Sequence, residues 1–303
     1  MLKVRNLKVY RYVDTIARTG SIRKAAELLA ITPSALNRRI LALEEELEVP
    51  VFERLGRGVR LSTAGELLID MFRKQLAEAE LTKSRIADLS GLRRGHVTVT
   101  CSQAVLPYFM PEQIRRFQKD FPDVTFSILN RDGEEAEQSL LNHAADLAIV
   151  FEPLKQSDFQ TLVAVPQPIH AVMSSDHPLS GETSLKFIDC LAYPLALPTR
   201  TYAVRQILQI YSDRLAVKLE PSVEAESYIF LRNFVAGSSA IAFELQIGVK
   251  ALSLHNNTTA IPLKEASVSY GSLYVAQLKG RTLPVASARF AQQIVEVLET
   301  EWG

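Results

Sequence analysis

The chain has 303 residues, 47% of them hydrophobic, enough for more than one packed core, and no run approaches the roughly eighteen apolar residues that a membrane-spanning helix needs. Its 34 Lys/Arg balance 34 Asp/Glu only by cancellation: residues 1–60 hold 12 against 7, a net of +5, and residues 61–303 hold 22 against 27, a net of −5. A basic head on an acidic body fits a polyanion met at one end, while two Cys and an N-terminus without a continuous apolar stretch argue against a secreted, disulfide-stapled protein and for the cytoplasm.

In chain order, the first informative stretch runs from Thr19 to Ile40 and carries two helix starts a dozen residues apart. Ser21 is placed to cap the first helix, in which Ala25, Ala26, Leu28 and Leu29 offer small and apolar side chains for close packing. Ala30 and Ile31 fill the turn. Thr32 caps the second helix, with Pro33 at its first position, where a missing N–H costs nothing. Leu36, Ile40, Leu43 and Leu47 recur at helical spacing and define its core face, leaving Ser34, Asn37, Arg38 and Leu41 outside. Hydroxyl, amide and guanidinium groups on an exposed helix suit base edges and phosphates of a major groove. Beyond Pro50, Val51 to Ser62 reads as two short strands around a turn with two Gly, a wing carrying Arg54, Arg57 and Arg60. Its tip is placed to reach an adjacent minor groove or the phosphate backbone. The run Glu44-Glu45-Glu46 reads as a solvated helix end.

This segment resembles the LysR-type transcriptional regulators. The resemblance rests on Gly20-Ser21, Ala25-Ala26, Leu28 or Leu29, Thr32-Pro33-Ser34-Ala35, Arg38, Ile40, Leu43-Glu44, Val51-Phe52-Glu53-Arg54 and Ser62-Thr63-Ala64-Gly65, in the family's order and spacing over roughly 65 residues. It implies a bacterial regulator of α/β class: an N-terminal all-α winged helix-turn-helix over residues 1–62, a linker helix over 63–91, and a two-lobed, periplasmic-binding-protein-like effector domain over 92–303. It also implies DNA contacts around Thr32, Pro33, Ser34, Asn37 and Arg38, with the wing adding Arg54 or its neighbours; Arg57 joins these as a wing-tip residue. Asn37 stands where the family usually has Ser, and Arg39 where it often has Gln, so base preference does not carry over.

After the wing, Thr63-Ala64-Gly65-Glu66 has the form of a capping box, and a helix of about 27 residues is expected to run to about Leu89 before Gly91 stops it. Leu68, Phe72, Gln75, Ala79, Thr82, Ile86 and Leu89 alternate by four and three as a helix–helix seam does, which together with the resemblance predicts a dimer, or a dimer of dimers. Ser90 to Gly95 reads as a linker.

From there strand and helix patterns alternate: strand His96–Cys101, helix Pro107–Asp120, strand Val124–Leu129, helix Glu134–His143 and strand Asp146–Phe151, which argues a parallel sheet flanked by helices. A second set from Leu162 to Pro262 contains strand Ile169–Met173, a loop at His177-Pro178-Leu179, strand Pro194–Leu197, helix Tyr202–Leu215 and the segment Glu224–Ala236. Strand Tyr270–Gln277 and helix Ala286–Thr300 follow. The resemblance implies that this tail returns to the first lobe, giving lobe I at about 92–161 and 268–303 and lobe II at about 162–267.

Ligands of such lobes settle beyond the carboxyl ends of strands, near helix N-termini. Ser102-Gln103 and Pro198-Thr199-Arg200-Thr201 occupy such places, and in the family both meet a small effector between the lobes. The effector candidates are therefore Ser102, Gln103, Thr199, Arg200 and Thr201, with Phe151 and Tyr228 as additions, and the expected ligand is a small carboxylate or other anion with Arg200 supplying charge. Where the family tends to show Gly-x-Gly and an apolar run, this chain has Gly237-Ser238-Ser239 and then Ala240 to Glu244, so Phe243 or Glu244 is a candidate for altered selectivity.

No catalytic constellation is read. The five His residues show no metal-ligand spacing, neither a Cys-x-x-Cys nor a phosphate-cradling Gly-rich loop occurs, and no cofactor is implied; Cys101 and Cys190 read as buried packing. The partners expected are double-stranded DNA of dyad symmetry, a small-molecule effector, further copies of the chain, and RNA polymerase. Alternatives are a structural DNA-binding protein whose C-terminal domain only oligomerises, and an enzyme or carrier on the two-lobed fold.

Overall fold

The structure, a computed structural model, describes residues 7–89, 94–151, 154, 157–249, 257–264 and 271–302 and comprises two compact units, Met1–Leu92 and Arg93–Gly303. The linker expected at Ser90 to Gly95 lies largely outside the described residues, as do Gly91 and Tyr270.

In the first unit, helices α1 (Leu7–Thr19), α2 (Ile22–Leu28) and α3 (Pro33–Leu47) precede a two-stranded ribbon, β1 (Phe52–Arg54) and β2 (Val59–Leu61), and the 27-residue helix α4 (Thr63–Leu89). Ser21 Oγ accepts from Lys24 N, and Thr32 Oγ1 accepts from Ala35 N with Pro33 opening α3, as the cap chemistry predicts. Tyr10, Val13 and Ile16 of α1, Ala25 and Ala26 of α2, and Leu36, Ile40 and Leu43 of α3 form one core. Leu28, expected in that core, is 73% exposed. Helix α2 ends there, and it is the capping residue Leu29 that packs inward instead.

The start of α4 differs by one residue from the expectation. Ser62, not Thr63, is the cap: its Oγ accepts from Gly65 N at 3.0 Å and donates to Pro50 O, while its own N–H goes to Val51 O at 2.9 Å. Strand β2 thus hands directly into the helix. Gly65 is required by this crossing, since a Cβ there would lie 2.1 Å from Val51 O. Helix α4 then lies along α1. Phe72 stacks on Tyr10 with ring centroids 4.2 Å apart, and Arg73 Nε meets Asp14 Oδ1 at 2.7 Å while Arg18 Nε meets Asp14 Oδ2 at 2.8 Å. Phe72, assigned to a dimer seam by its spacing, is therefore a core residue of its own unit because α1 covers it; Leu68 is partly covered in the same way, whereas Gln75, Thr82 and Ile86 are exposed.

The second unit contains β3 (Gly95–Cys101), α5 (Phe109–Asp120), β4 (Val124–Asn130), α6 (Gly133–Leu141), β5 (Leu147–Val150), β6 (Phe159–Gln167), β7 (Ile169–Ser174), α7 (Phe187–Cys190), β8 (Leu195–Pro198), α8 (Ala203–Arg214), β9 (Val223–Ala225), α9 (Tyr228–Val235), β10 (Ile241–Leu245), α10 (Gln246–Val249), β11 (Thr258–Pro262), β12 (Gly271–Leu278) and α11 (Val285–Trp302). They build two five-stranded sheets, ordered β4-β3-β5-β12-β6 and β11-β7-β10-β8-β9. The expected strands and helices are present within a few residues, but the sheets are mixed. Strands β3, β4 and β5 are parallel, whereas β12 runs antiparallel to β5 and β6, and β7 antiparallel to β10 and β11. Strands β6 and β12 carry the chain out of the first lobe and back, without the helical crossover that enforces parallel pairing. Strand β6 pairs along its length with β12, so the first lobe extends to Gln167 and the chain crosses at Pro168, not at residues 161–162.

A buried cation fastens the two lobes. Arg232 of α9 donates from Nε to Glu244 Oε1 of β10 at 3.1 Å and from Nη2 to Glu244 Oε2 and Gly248 O, and its Nη1 donates to Tyr108 Oη in the first lobe at 2.8 Å. The guanidinium also lies 5.2 Å from the Tyr108 ring centroid. Burial pushes the Glu244 carboxyl up from its ordinary range, and the guanidinium opposes that shift. Glu244 and Phe243 are thus core residues: Phe243 packs on Phe187, and neither faces the cleft described below.

Two stability outcomes follow from these contacts. Gly65→Ala forces the wing–helix crossing apart and lowers the stability of the first unit by about 1–3 kcal/mol, read by thermal melting. Arg232→Met leaves Glu244 buried without its cation and destabilises the second unit by about 3–5 kcal/mol in denaturant titration, much of which the double variant with Glu244→Leu recovers.

Candidate DNA-binding surface and effector cleft

Helix α3 presents Thr32, Pro33, Ser34, Arg38 and Leu41 to solvent, with Asn37 half-buried at its edge. Not all of these are equally available for contact. The Thr32 hydroxyl caps its own helix and lies 3.3 Å from Ser34 Oγ, so it orders the helix N-terminus. Arg38 is exposed on α3, and Arg57 is exposed at the wing tip between β1 and β2. Arg54, the last residue of β1, donates from Nη2 to Asn37 Oδ1 at 3.2 Å, which brings two of the expected contact residues into one group. Across the ribbon, Arg60 pairs with Glu53 at 2.7 Å.

The wing is fixed from both sides. Val59 N donates to Gly20 O at 3.0 Å, and a Cβ on Gly58 would stand 2.4 Å from that same oxygen, so this approach and its φ of +84° need glycine. On the other side Glu44 Oε1 accepts from Val51 N and Phe52 N at 2.7 and 3.0 Å. The expectation of a solvated Glu44 is corrected by those two bonds; Glu45 and Glu46 are exposed as expected.

In the second unit, a cleft of about 540 Å³ opens between the lobes at the carboxyl ends of β4, β5 and β8. One wall comes from residues 130–135 and Phe151, the other from residues 201–203, Gln206 and Glu226. Asp132, Glu134, Glu135 and Glu226 stand here against Arg131, so the lining is acidic. The field of these carboxylates reaches beyond the cleft. Burial pushes the Tyr202 hydroxyl up, and Glu226 and Asp132 add to the shift; Tyr228, fully buried, is pushed up well above its ordinary value, with Glu244, Asp132 and Tyr202 contributing.

Of the effector candidates, Phe151 and Thr201 line this cleft. Gln103 instead bridges the lobes: its Nε2 donates to Glu226 O at 2.8 Å and its Oε1 accepts from Tyr228 N at 2.8 Å, at the first residue of α9. Ser102 is buried beside it, Tyr228 is buried against Tyr202 in an edge-on contact at 5.4 Å, and Thr199 Oγ1 lies 3.4 Å from Thr201 Oγ1. Arg200 is exposed and not part of the lining, so the cation expected to hold an anion is not at the cleft wall. The acidic wall at Asp132-Gly133-Glu134-Glu135 was not singled out from the sequence. The signal was present: this tetrapeptide follows a strand and opens a helix, the same rule that selected Ser102 and Thr199.

Cys101 is buried in β3, and burial, with the charge of Asp132, pushes its thiol up to about 12, which keeps it protonated and unreactive at neutral pH. Cys190 is buried in the other lobe.

Residues 7–66 match the family model described as "Bacterial regulatory helix-turn-helix protein, lysR family", and residues 90–299 match the "LysR substrate binding domain". Among curated proteins, the chain is 24% identical to the HTH-type transcriptional activator CmpR of Synechocystis sp., over 95% of this chain and 94% of that one, and 27% identical to the HTH-type transcriptional regulator CysB of Burkholderia cenocepacia, over 96% and 97%. Among solved structures it is similar to a full-length OxyR variant from Pseudomonas aeruginosa, with a TM-score of 0.72 at 22% identity over 95% of this chain and 94% of that one. It is also similar to full-length CbnR in complex with its target DNA, with a TM-score of 0.63 at 17% identity over 97% and 99%. The two family models together span the winged unit and the two-lobed unit, the matched relatives are transcriptional regulators and not enzymes, and the chain belongs to the LysR family of bacterial transcriptional regulators.

Proposed function

We propose that this regulator binds a dyad-symmetric operator as a homodimer or a dimer of dimers in the cytoplasm, through Ser34, Arg38, Arg54 and Arg57, and that a small amphoteric molecule in the interlobe cleft controls it. Thr32 and Pro33 order the start of the recognition helix, and Asn37 belongs to the same surface. The observation that carries the ligand class is the unequal charge of the two cleft walls. One wall presents Asp132, Glu134 and Glu135 with Arg131 among them; the other carries Glu226 and the start of α8, where Tyr202 caps the helix without a side-chain hydrogen bond and Thr201, Tyr202 and Ala203 line the cleft. Free N–H groups at a helix start favour an anionic group, while the carboxylates favour an ammonium or several hydroxyls. A molecule with both ends, of the amino-acid type, fits these walls better than the simple anion suggested by Arg200 alone. Selection of one lobe arrangement by the ligand then biases DNA affinity.

Self-association is supported by apolar side chains left in solvent. Helix α9 exposes Ile229 and Phe230 to 51% each, with Phe234 stacked on Phe230 at 6.5 Å, and α4 exposes Leu67 to 78% and Ile86 to 59%.

A thermal-shift panel of amino acids, monoamines, dicarboxylates and inorganic phosphate tests the ligand class. An amino acid at about a hundredfold excess over its Kd adds about 2.7 kcal/mol of stability to the second unit, and Glu134→Gln with Glu135→Gln removes most of that gain. A dicarboxylate that stabilises the wild type and binds the double variant more tightly refutes the amphoteric reading. For the association surfaces, Phe230→Glu with Phe234→Glu, and separately Leu67→Glu with Ile86→Glu, each weakens self-association at least tenfold in sedimentation velocity; an unchanged mass distribution excludes the surface concerned.

A further inference from the structure

We propose that Asn37 is a positioning residue for Arg54, and that α3 and the wing meet DNA as one rigid element with the Arg54 guanidinium at their junction. The inference rests on the DNA-facing surface proposed above and adds a division of roles within it.

The geometry begins with the helix face. Asn37 and Glu44 are seven residues apart, two turns of α3, so they lie on one face separated by roughly 10 Å of rise. Strand β1 meets that face at both points. Glu44 holds the N–H groups of Val51 and Phe52 at 2.7 and 3.0 Å, and Asn37 holds the side chain of Arg54 at 3.2 Å. Three residues of extended chain also span roughly 10 Å, so strand and helix keep step without strain. The far side of the ribbon is held by Val59 N on Gly20 O. The backbone that carries Arg54 is thus fixed before its side chain is considered.

The chemistry of the contact sorts the roles. A guanidinium only donates, so the end of the Asn37 amide that faces it is the oxygen. With one Oδ1 lone pair given to Arg54 and the amide plane set by that bond on a half-buried side chain, a two-point contact to adenine would have to share the same oxygen. The role this geometry favours for Asn37 is orienting Arg54. A neutral acceptor orients the guanidinium without cancelling its charge, which stays available to a phosphate or to a guanine edge. The nearest acid on the same strand does not compete for this role, because Glu53 is paired with Arg60 across the ribbon.

The test is a double-mutant cycle in the full chain, read by fluorescence anisotropy on a labelled duplex that the wild-type protein has enriched from a randomised pool, at salt from about 50 to 200 mM. Arg54→Ala weakens binding by roughly tenfold or more and, if its contact is a phosphate, makes the salt slope shallower by about 1. Asn37→Ala weakens binding by roughly fivefold in the wild-type background and by less than about twofold when Arg54 is already Ala. Asn37→Asp, which still holds the guanidinium but neutralises it, resembles Arg54→Ala in both affinity and slope. Equal Asn37→Ala losses in both backgrounds, or a loss confined to one base position with Arg54 intact, overturn the proposal and make Asn37 a direct reader. An Arg54→Ala variant that binds as the wild type overturns it as well. A wild-type chain that enriches no duplex removes the DNA-facing surface itself, an outcome distinct from an additive cycle. Melting curves of each variant confirm that the fold is retained.

Discussion

The DNA-binding unit depends on the backbone of one residue, Val51. Its N–H is held by the Glu44 carboxylate of α3, its carbonyl accepts from Ser62 N, the adjacent Pro50 carbonyl accepts from the Ser62 hydroxyl, and Gly65 of α4 passes so close to its oxygen that no Cβ fits. Recognition helix, wing and linker helix are therefore joined at a single crossing of hydrogen-bonded backbone. The Val51 side chain is itself fully buried, which keeps water from competing for these bonds. A change in the direction of α4 at this crossing must move the wing with it. The stacking of Phe72 on Tyr10 and the shared carboxylate of Asp14 between Arg18 and Arg73 extend that tie for two more turns of the helix.

The second unit solves a different problem. Among the described residues, the chain passes between the lobes where β6 gives way to β7 at Pro168, and such a crossing alone fixes no angle. What limits the angle is a pair of contacts of unequal kind. Arg232 and Glu244 both belong to the second lobe, so their ion pair stays intact at any lobe angle; what spans the lobes is the Arg232 hydrogen bond to Tyr108 Oη, charge-assisted and backed by the Tyr108 ring, worth about 1.5–3 kcal/mol. Gln103 on Glu226 O and Tyr228 N is a neutral contact whose groups water can satisfy, worth about 1 kcal/mol per bond. The first contact carries charge and the second does not, so the second exchanges more readily for water.

Much of this architecture was legible because local chemistry decides it. Ser21, Thr32 and Pro33 mark helix starts through groups that have no better use elsewhere, and the spacing of Leu36, Ile40 and Leu43 fixes the buried face of α3 without reference to the rest of the chain. Phe72, Glu44 and Ser62 depart from the sequence expectation because a distant segment decides them. Phe72 has the spacing of a seam residue, and only the position of Tyr10 shows that it is already covered. Glu44 looks like one of three surface acids until the wing returns to it. Ser62 and Thr63 are both good caps, and the choice between them is made by Pro50 and Val51. Strand β6 has an apolar run, Leu162 to Val165, as long as that of β5, but Pro166 within it argues against a strand in the sequence; its place at the sheet edge tolerates the proline, and the lobe boundary moves with it to Pro168.

The interlobe cleft shows the same limit in its electrostatics. The sequence rule that points to Arg200, a residue after a strand and before a helix, places backbone but not side chains. In the structure that rule holds for the backbone, since Thr201, Tyr202 and Ala203 reach the cleft, while the Arg200 side chain is in solvent. The charge that dominates comes from the opposite wall, where the Asp132-Gly133-Glu134-Glu135 turn points toward the start of α8 across about 540 Å³ of space. A helix start carries about half a positive charge and falls off within a turn, whereas several carboxylates facing one cleft with a single guanidinium among them sum to a larger field. On the amphoteric reading proposed above, charge of that sign repels a simple anion from the approach, and an anionic group is held at α8 when the same molecule brings a cation or donors to neutralise the facing wall. Selectivity on that reading is set by repulsion at one wall as much as by attraction at the other.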